Sequence, residues 1–267
     1  MENEQRERIR ERLERLEHEE GVRIIHACES GSRAWGFPSR DSDYDVRFIY
    51  VRRHHWYLSI DAAVARDVIE LPIDDILDIN GWDLPKALRL LRKSNPPLLE
   101  WLCSPIVYRA HAPLVERLRA MVPVYYSPRA CAYHYLHMAE GNSRAYLQGK
   151  TVSLKKYFYV LRPLLAIRWI EEDRGVAPIE FQRLVETMLE PGELRDAIEH
   201  LRQKKLEDVE LGTGPRIPAI SSFIESELAR HANGLRVART PERESDDLNA
   251  LFREAIEAAW SHPPAEA

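Results

Sequence analysis

Asp41, Asp43 and Asp45 crowd together in "SRDSDYDVRFIYV", a short way downstream of Gly31 and Ser32. Carboxylates this close repel one another, so a fold that keeps them must supply either solvent or a cation. A calcium loop beginning at Asp41 would need Gly at its sixth position and Glu at its twelfth. Val46 and Arg52 stand there instead, which excludes it. A glycosyltransferase-type Asp-x-Asp also binds a nucleotide through a divalent metal, but it normally follows a long nucleotide-binding α/β region, and too few residues precede this one. A solvated turn suits Asp41 and Ser42. Asp43 and Asp45 differ because the strand they open has a clear phase. Tyr44, Val46, Phe48 and Tyr50 form its apolar face, which leaves Asp43, Asp45 and Arg47 on the other, away from the core. Oxygen donors of this kind suit Mg²⁺, which keeps several waters and takes further ligands from substrate phosphates. Gly31 and Ser32 supply the matching feature. Backbone N–H groups at a helix start, with a hydroxyl beside them, form an anion pocket suited to a triphosphate. A turn with no chemistry remains the alternative for this pattern alone.

The flanking segments read as the elements that would hold these groups. Ile9, Leu13 and Leu16 recur at helical spacing within residues 4–20, giving a charged surface helix with a narrow apolar stripe, ended by Gly21. "VRIIHACES" reads as a strand, "GSRAWGF" as a turn into a short helix, and "YDVRFIYV" as a second strand. "RDVIELP" and "DILDIN" read as further short strands. "DLPKALRLLRK" is an amphipathic helix with Asp83 as a candidate N-cap and Pro85 in its tolerant first turn. From about residue 111 strand signals nearly vanish, and helical patterns follow at 111–121, 129–149, 153–173, 179–189, 192–208, 218–232 and 241–260. Pro163 inside one of them predicts a kink near Tyr159. The fold class is α+β: a small mixed-sheet domain over residues 1–105, then an all-helical domain over 106–267.

The composition narrows the setting. At 267 residues, 45% hydrophobic and 30% charged, the chain is globular. Its most apolar run, "YFYVLRPLLAIRWI", is interrupted by Arg162 and Arg168, so no membrane span is expected. Cys28, Cys103 and Cys131 are few and far apart, and the N-terminus has no signal-peptide core. Both features predict reduced thiols in a cytoplasm. A net charge of −5 excludes a generally basic nucleic-acid binder, so any such contact would use a local basic patch. "RRHHWY" (residues 52–57) joins charge and aromatics in a loop and is one such candidate, although ordinary loop chemistry accounts for it better. Cys131, His134 and His137 recur every three residues, a spacing that rarely builds a zinc site without a distant fourth ligand. Trp35 and Trp82 flank the motifs and read as packing.

"GSRAWGFPSRDSDYDVRFIYV" resembles the signature of the DNA polymerase β-like nucleotidyltransferase superfamily, in which Gly-Ser is followed by Asp-x-Asp. "ESGSRAWGF", "NGWDLPKALRLLRKSNPPLLEWLCSP" and "SLKKYFYVLRPLLAIRWI" resemble its bacterial and phage branch linked to RNA repair. The resemblance covers most of residues 22–185. It implies a polymerase β palm-like sheet domain and a third carboxylate on a neighbouring strand, assigned to Asp78 with Glu70 as the runner-up. It further implies that Asp43, Asp45 and Asp78 hold two Mg²⁺ ions, for which Mn²⁺ can substitute, and that Gly31, Ser32 and Arg33 bind the triphosphate of an NTP. Lys155, Lys156, Tyr159 and Arg162, near one helical face, are further candidates for the nucleotide, with an ordinary basic helix edge as the alternative. The implied reaction moves an NMP from an NTP to a hydroxyl with release of pyrophosphate. An RNA end is the implied acceptor. A small molecule, a protein side chain and a non-catalytic nucleotide-binding role are the alternatives. No protein partner is evident from the sequence.

Overall fold

The computed structural model describes residues 2–74, 76–207, 211–237 and 244–261. Helix α1 (Glu2–Glu20) precedes strand β1 (Val22–Glu29), and a single turn of helix, α2 (Gly31–Trp35), leads by a loop into β2 (Tyr44–Arg52). After the four-residue α3 (His54–Tyr57) come β3 (Val68–Glu70), β4 (Leu77–Asp83), α4 (Leu84–Arg92), α5 (Pro96–Cys103) and β5 (Val107–Ala110). The strands form one mixed sheet in the order β3-β4-β2-β1-β5. β2 and β4 run parallel, and the other neighbours are antiparallel.

The sheet is covered on both faces. On one, Ile9, Leu13 and Leu16 of α1 are buried against Val46, Phe48, Tyr50, Leu77 and Ile79. Each such side chain, fully buried, contributes roughly 1.5–3 kcal/mol. The other face begins polar at Asp45 and Arg47, but further along the same row Ile49 and Val51 are buried beneath the helices. The side of β2 expected to point away from the core is thus a second interior surface, open only at its acidic start. A shift of register between Ile24 and His26 lets β1 feed both layers, with Ile24 and Ala27 on one side and Ile25 and Cys28 on the other.

The helical layer comprises α6 (Ala112–Tyr125), α7 (Pro128–Tyr146), α8 (Leu154–Glu171), α9 (Phe181–Met188), α10 (Glu193–Glu207), α11 (Pro218–His231) and α12 (Asp246–Trp260). Helix α8 runs as one element through Pro163, with almost every residue from Tyr157 to Ile170 buried. Two short strands that the sequence did not signal, β6 (Thr151–Ser153) and β7 (Thr213–Pro215), pair just before α8. The expected boundary at residue 105 falls between α5 and the sheet's last strand, and one apolar core runs from Ile25, Ile49 and Val51 into the helices. Helix α12 returns to the sheet, where Trp260 Nε1 donates to the Arg52 carbonyl at 3.1 Å. Among the described residues, no helix is long and apolar enough to cross a membrane.

Candidate active site

Asp45 sits one residue into β2 and stands in register with Asp78 of β4. Parallel neighbours in register point their side chains to the same face, so the two carboxylates come together. Arg47, two residues along on that face, bridges them: its Nη2 donates to Asp45 Oδ1 at 3.0 Å and to Asp78 Oδ2 at 2.7 Å. Its Nη1 donates to the Asp78 carbonyl at 2.8 Å, and Asn80 Nδ2 donates to Asp78 Oδ1 at 3.1 Å. Burial raises the Asp45 pKa above the usual carboxylate range, and the charges of Asp78 and Asp43 push the same way, while Arg47 and Lys155 oppose them. Asp43 lies exposed just ahead of the strand.

The Gly-Ser turn is pressed onto this pair. Ser30 N donates to the Asp45 carbonyl at 2.8 Å. Gly31 adopts φ +58°, and a Cβ there would lie 2.0 Å from Asp45 Oδ2. Both the left-handed backbone and the close approach therefore require glycine.

Glu29, fully buried at the end of β1, supports the turn from below. Its Oε1 accepts from the Asp45 amide at 2.8 Å, and its Oε2 accepts from the Tyr108 hydroxyl. Burial, reinforced by the Asp45 charge, pushes its pKa up to about 7 despite those hydrogen bonds. The folded state therefore holds a proton that the unfolded chain releases near 4.5, so stability should fall as pH rises between those two values. The full change is on the order of 3 kcal/mol at 1.36 kcal/mol per pKa unit. Urea midpoints at pH 4.5, 6 and 7.5 should show this slope in the wild type and lose most of it in Glu29→Gln. Equal slopes in both proteins would refute the assignment.

Ser32 is buried and donates to Ser42 Oγ at 3.3 Å, and Ser42 Oγ in turn accepts from the Ser39 amide at 2.9 Å. Arg33 folds back over this loop. Its Nη2 donates to the Ser42 carbonyl at 2.6 Å, its Nε to the Asp43 carbonyl at 3.2 Å, and its guanidinium lies 3.8 Å from the centre of the Tyr44 ring. Phe37 anchors the other end of the loop, stacked on Phe158 at 4.6 Å. Ser32 and Arg33 thus brace the loop that carries Asp43.

The candidates on α8 divide into two groups. Lys155 is close enough for its charge to act on Asp45. Lys156 lies 4.5 Å from the ring centres of both Tyr146 and Tyr159, and Tyr159 meets Trp35 of α2 edge-on at 5.3 Å. Arg162 is elsewhere. It is 1% exposed, and its Nη1 donates to Glu100 Oε1 at 2.6 Å. Glu100 also accepts from the Tyr135 hydroxyl at 3.2 Å and from Trp35 Nε1 at 3.4 Å. Arg162 therefore belongs to an interior ion pair that holds α2 against α5, α7 and α8, and it presents no surface to a ligand. Its place in the binding row followed from helical spacing, which does not tell an exposed face from a buried one.

Of the other acids, Glu70 is exposed on β3 and pairs with Arg66, while Asp74 pairs with Arg8 at 3.3 Å. Neither is beside Asp45. Asp75 lies outside the described residues. Glu29 is the site residue that sequence reasoning passed over. Its signal was a lone carboxylate closing an otherwise apolar strand, directly ahead of Ser30 and Gly31.

Among the described residues, no three carboxylate, imidazole or thiol groups stand close enough to enclose an ion by themselves. The donor chemistry nevertheless fits a hard divalent cation. Asp45 and Asp78 offer oxygen ligands side by side, and the guanidinium that now joins them marks a place where positive charge is stabilised.

A mixed sheet with paired aspartates on adjacent strands, capped by a glycine turn, is the arrangement of a polymerase β-like nucleotidyltransferase. The chain belongs to the RNA repair pathway DNA polymerase beta family, whose profile matches residues 5–254. It is 47% identical over 256 residues to the uncharacterized protein YcgL of Bacillus subtilis (strain 168), covering 96% of this chain and 98% of that one. A solved nucleotidyltransferase-like protein from Exiguobacterium sibiricum 255-15 aligns over 95% of this chain and 77% of its own, at 11% identity and a TM-score of 0.31.

Proposed function

We propose that the protein is a metal-dependent nucleotidyltransferase that moves an NMP from an NTP to a hydroxyl of an RNA end, releasing pyrophosphate. The observation that carries this reading is the in-register pair Asp45 and Asp78 beneath Gly31. Asp45 and Asp78, with Asp43 at the open edge, would hold Mg²⁺ or Mn²⁺. A bound divalent cation would supply charge stabilisation at the α-phosphate and lower the pKa of the attacking hydroxyl. The protein's own groups do the rest. Lys155, whose charge acts on Asp45, would add positive charge for the triphosphate, and the Gly31 turn would set how closely that tail can approach. Glu29 holds the Asp45 backbone, so the carboxylate above it is positioned before substrate arrives. Arg47 keeps the two aspartates together, and it must give up or share their oxygens for a metal to bind.

The test is to incubate the protein with each α-labelled NTP and RNA bearing free 3′ ends, with Mg²⁺, with Mn²⁺ and with excess EDTA. Label should enter RNA in both metal arms and be absent with EDTA. Label on the protein instead would move the acceptor to a side chain. NTP binding without transfer to any acceptor would overturn the enzymatic reading.

A further inference from the structure

At the end of β2 away from the aspartates, Arg52 and Arg53 lead into α3, and α12 comes back alongside. Between them lies a cleft of about 590 Å³ lined by Arg53, His54, His55, Arg253, Glu257 and Trp260. It collects two arginines and two histidines against one carboxylate, in a chain whose net charge is −5. Among the described residues, neither Arg53 nor Arg253 has a carboxylate within ion-pairing distance. Arg53 instead rests its guanidinium 4.1 Å from the Trp260 ring centre, and Arg23 lies 4.7 Å from the same ring. Beside the cleft, Arg52 lies 4.3 Å from the Trp56 ring, and Trp56 is 37% exposed. Guanidiniums laid on aromatic faces keep their charge and their outward N–H donors, so the wall they form suits phosphate oxygens. Trp260 is itself fixed by its bond to the Arg52 carbonyl, so the cleft joins two segments far apart in sequence into one preformed surface.

We propose that this cleft binds the phosphodiester backbone of a single RNA strand, as a docking site separate from the carboxylate centre. The proposal rests on the reading of RNA as acceptor and gives it a location. At about 3.3 Å per residue of strand, Arg53 lies roughly 26 Å along β2 from Asp45, so the cleft would hold the strand several nucleotides from the reacting end. Cations and aromatic rings spread along an open cleft suit a strand better than a compact mononucleotide.

The test uses the full chain and a 5′-fluorescein-labelled single-stranded RNA dodecamer, with anisotropy titrations across a range of salt, beside binding of Mg²⁺-ATP by calorimetry. The Arg53→Glu/Arg253→Glu variant should bind the RNA at least tenfold more weakly. Its salt dependence should be shallower by about 1.4, from roughly 0.7 per phosphate contact on a single strand. Its ATP binding should match the wild type. Arg53→Gln/Arg253→Gln, which introduces no new charge, should lose affinity in the same direction and guards against misfolding of the first variant. An Asp43→Asn/Asp45→Asn variant should keep RNA affinity while losing transfer, which separates failure of the cleft from failure of the carboxylate reading. Unchanged RNA affinity in both arginine variants, or no RNA binding by the wild type, would overturn the proposal.

Discussion

Asp45→Asn should lower the rate of nucleotidyl transfer about 10³-fold, equivalent to about 4 kcal/mol of transition-state stabilisation, while leaving the fold at least as stable as the wild type. The two halves of this expectation come from different atoms of the same residue. The backbone of Asp45 holds the site together, accepting from Ser30 N and donating to Glu29, and asparagine preserves both bonds. The carboxylate costs stability, since burial and the neighbouring charges of Asp78 and Asp43 raise its pKa. Asparagine removes that unfavourable charge. Arg47 keeps Asp78 as its ion-pair partner at 2.7 Å. A purely structural aspartate would show the opposite pattern, with lower stability and activity falling only in proportion to the folded fraction. Transfer rates measured beside thermal melts distinguish the two. A rate within tenfold of the wild type, or a melting temperature several degrees lower, would remove Asp45 from the proposed centre.

The sequence made the sheet and its acidic edge legible because both follow from local periodicity. The alternation of Tyr44, Val46, Phe48 and Tyr50 placed Asp45 and Arg47 on the opposite face, and the structure has them there. Alternation does not show what covers that face. Ile49 and Val51 lie under helices supplied from far along the chain, a long-range fact with no local trace. The same limit applied to α8, where spacing grouped Lys155, Tyr159 and Arg162 although burial separates Arg162 from the other two. Glu29 was missed for a related reason. Its hydroxyl partner, Tyr108, is on β5, 79 residues further on, and a strand of only four residues carried too weak a pattern to be read as part of the sheet. Asp78 was assigned by resemblance, and what the structure adds is its pairing with Asp45 across two parallel strands.

Glu100→Ala should destabilise the protein by about 3–5 kcal/mol, because it strands the Arg162 charge in the interior. The carboxylate serves three donors at once: Arg162, the Tyr135 hydroxyl and the Trp35 indole. Arg162 Nη2 already lacks a hydrogen-bond partner, so without Glu100 the buried guanidinium would keep only the neutral Ile179 carbonyl, which accepts from its Nε at 3.4 Å. Trp35 closes α2, so the loss should also loosen the turn over Asp45 and weaken NTP binding. A second variant separates the fold from the ligand. Glu100→Gln/Arg162→Met removes both charges, and the amide can accept from Trp35 through its oxygen while donating to the Tyr135 hydroxyl through its nitrogen, so it should recover all but about 1–2 kcal/mol of the stability. If Arg162 acts only through this buried pair, the double variant should bind NTP as the wild type does. Urea midpoints and NTP titrations on both variants decide the matter. A double variant that is stable but binds NTP tenfold more weakly would show that Arg162 reaches the nucleotide after all, through a rearrangement that exposes it.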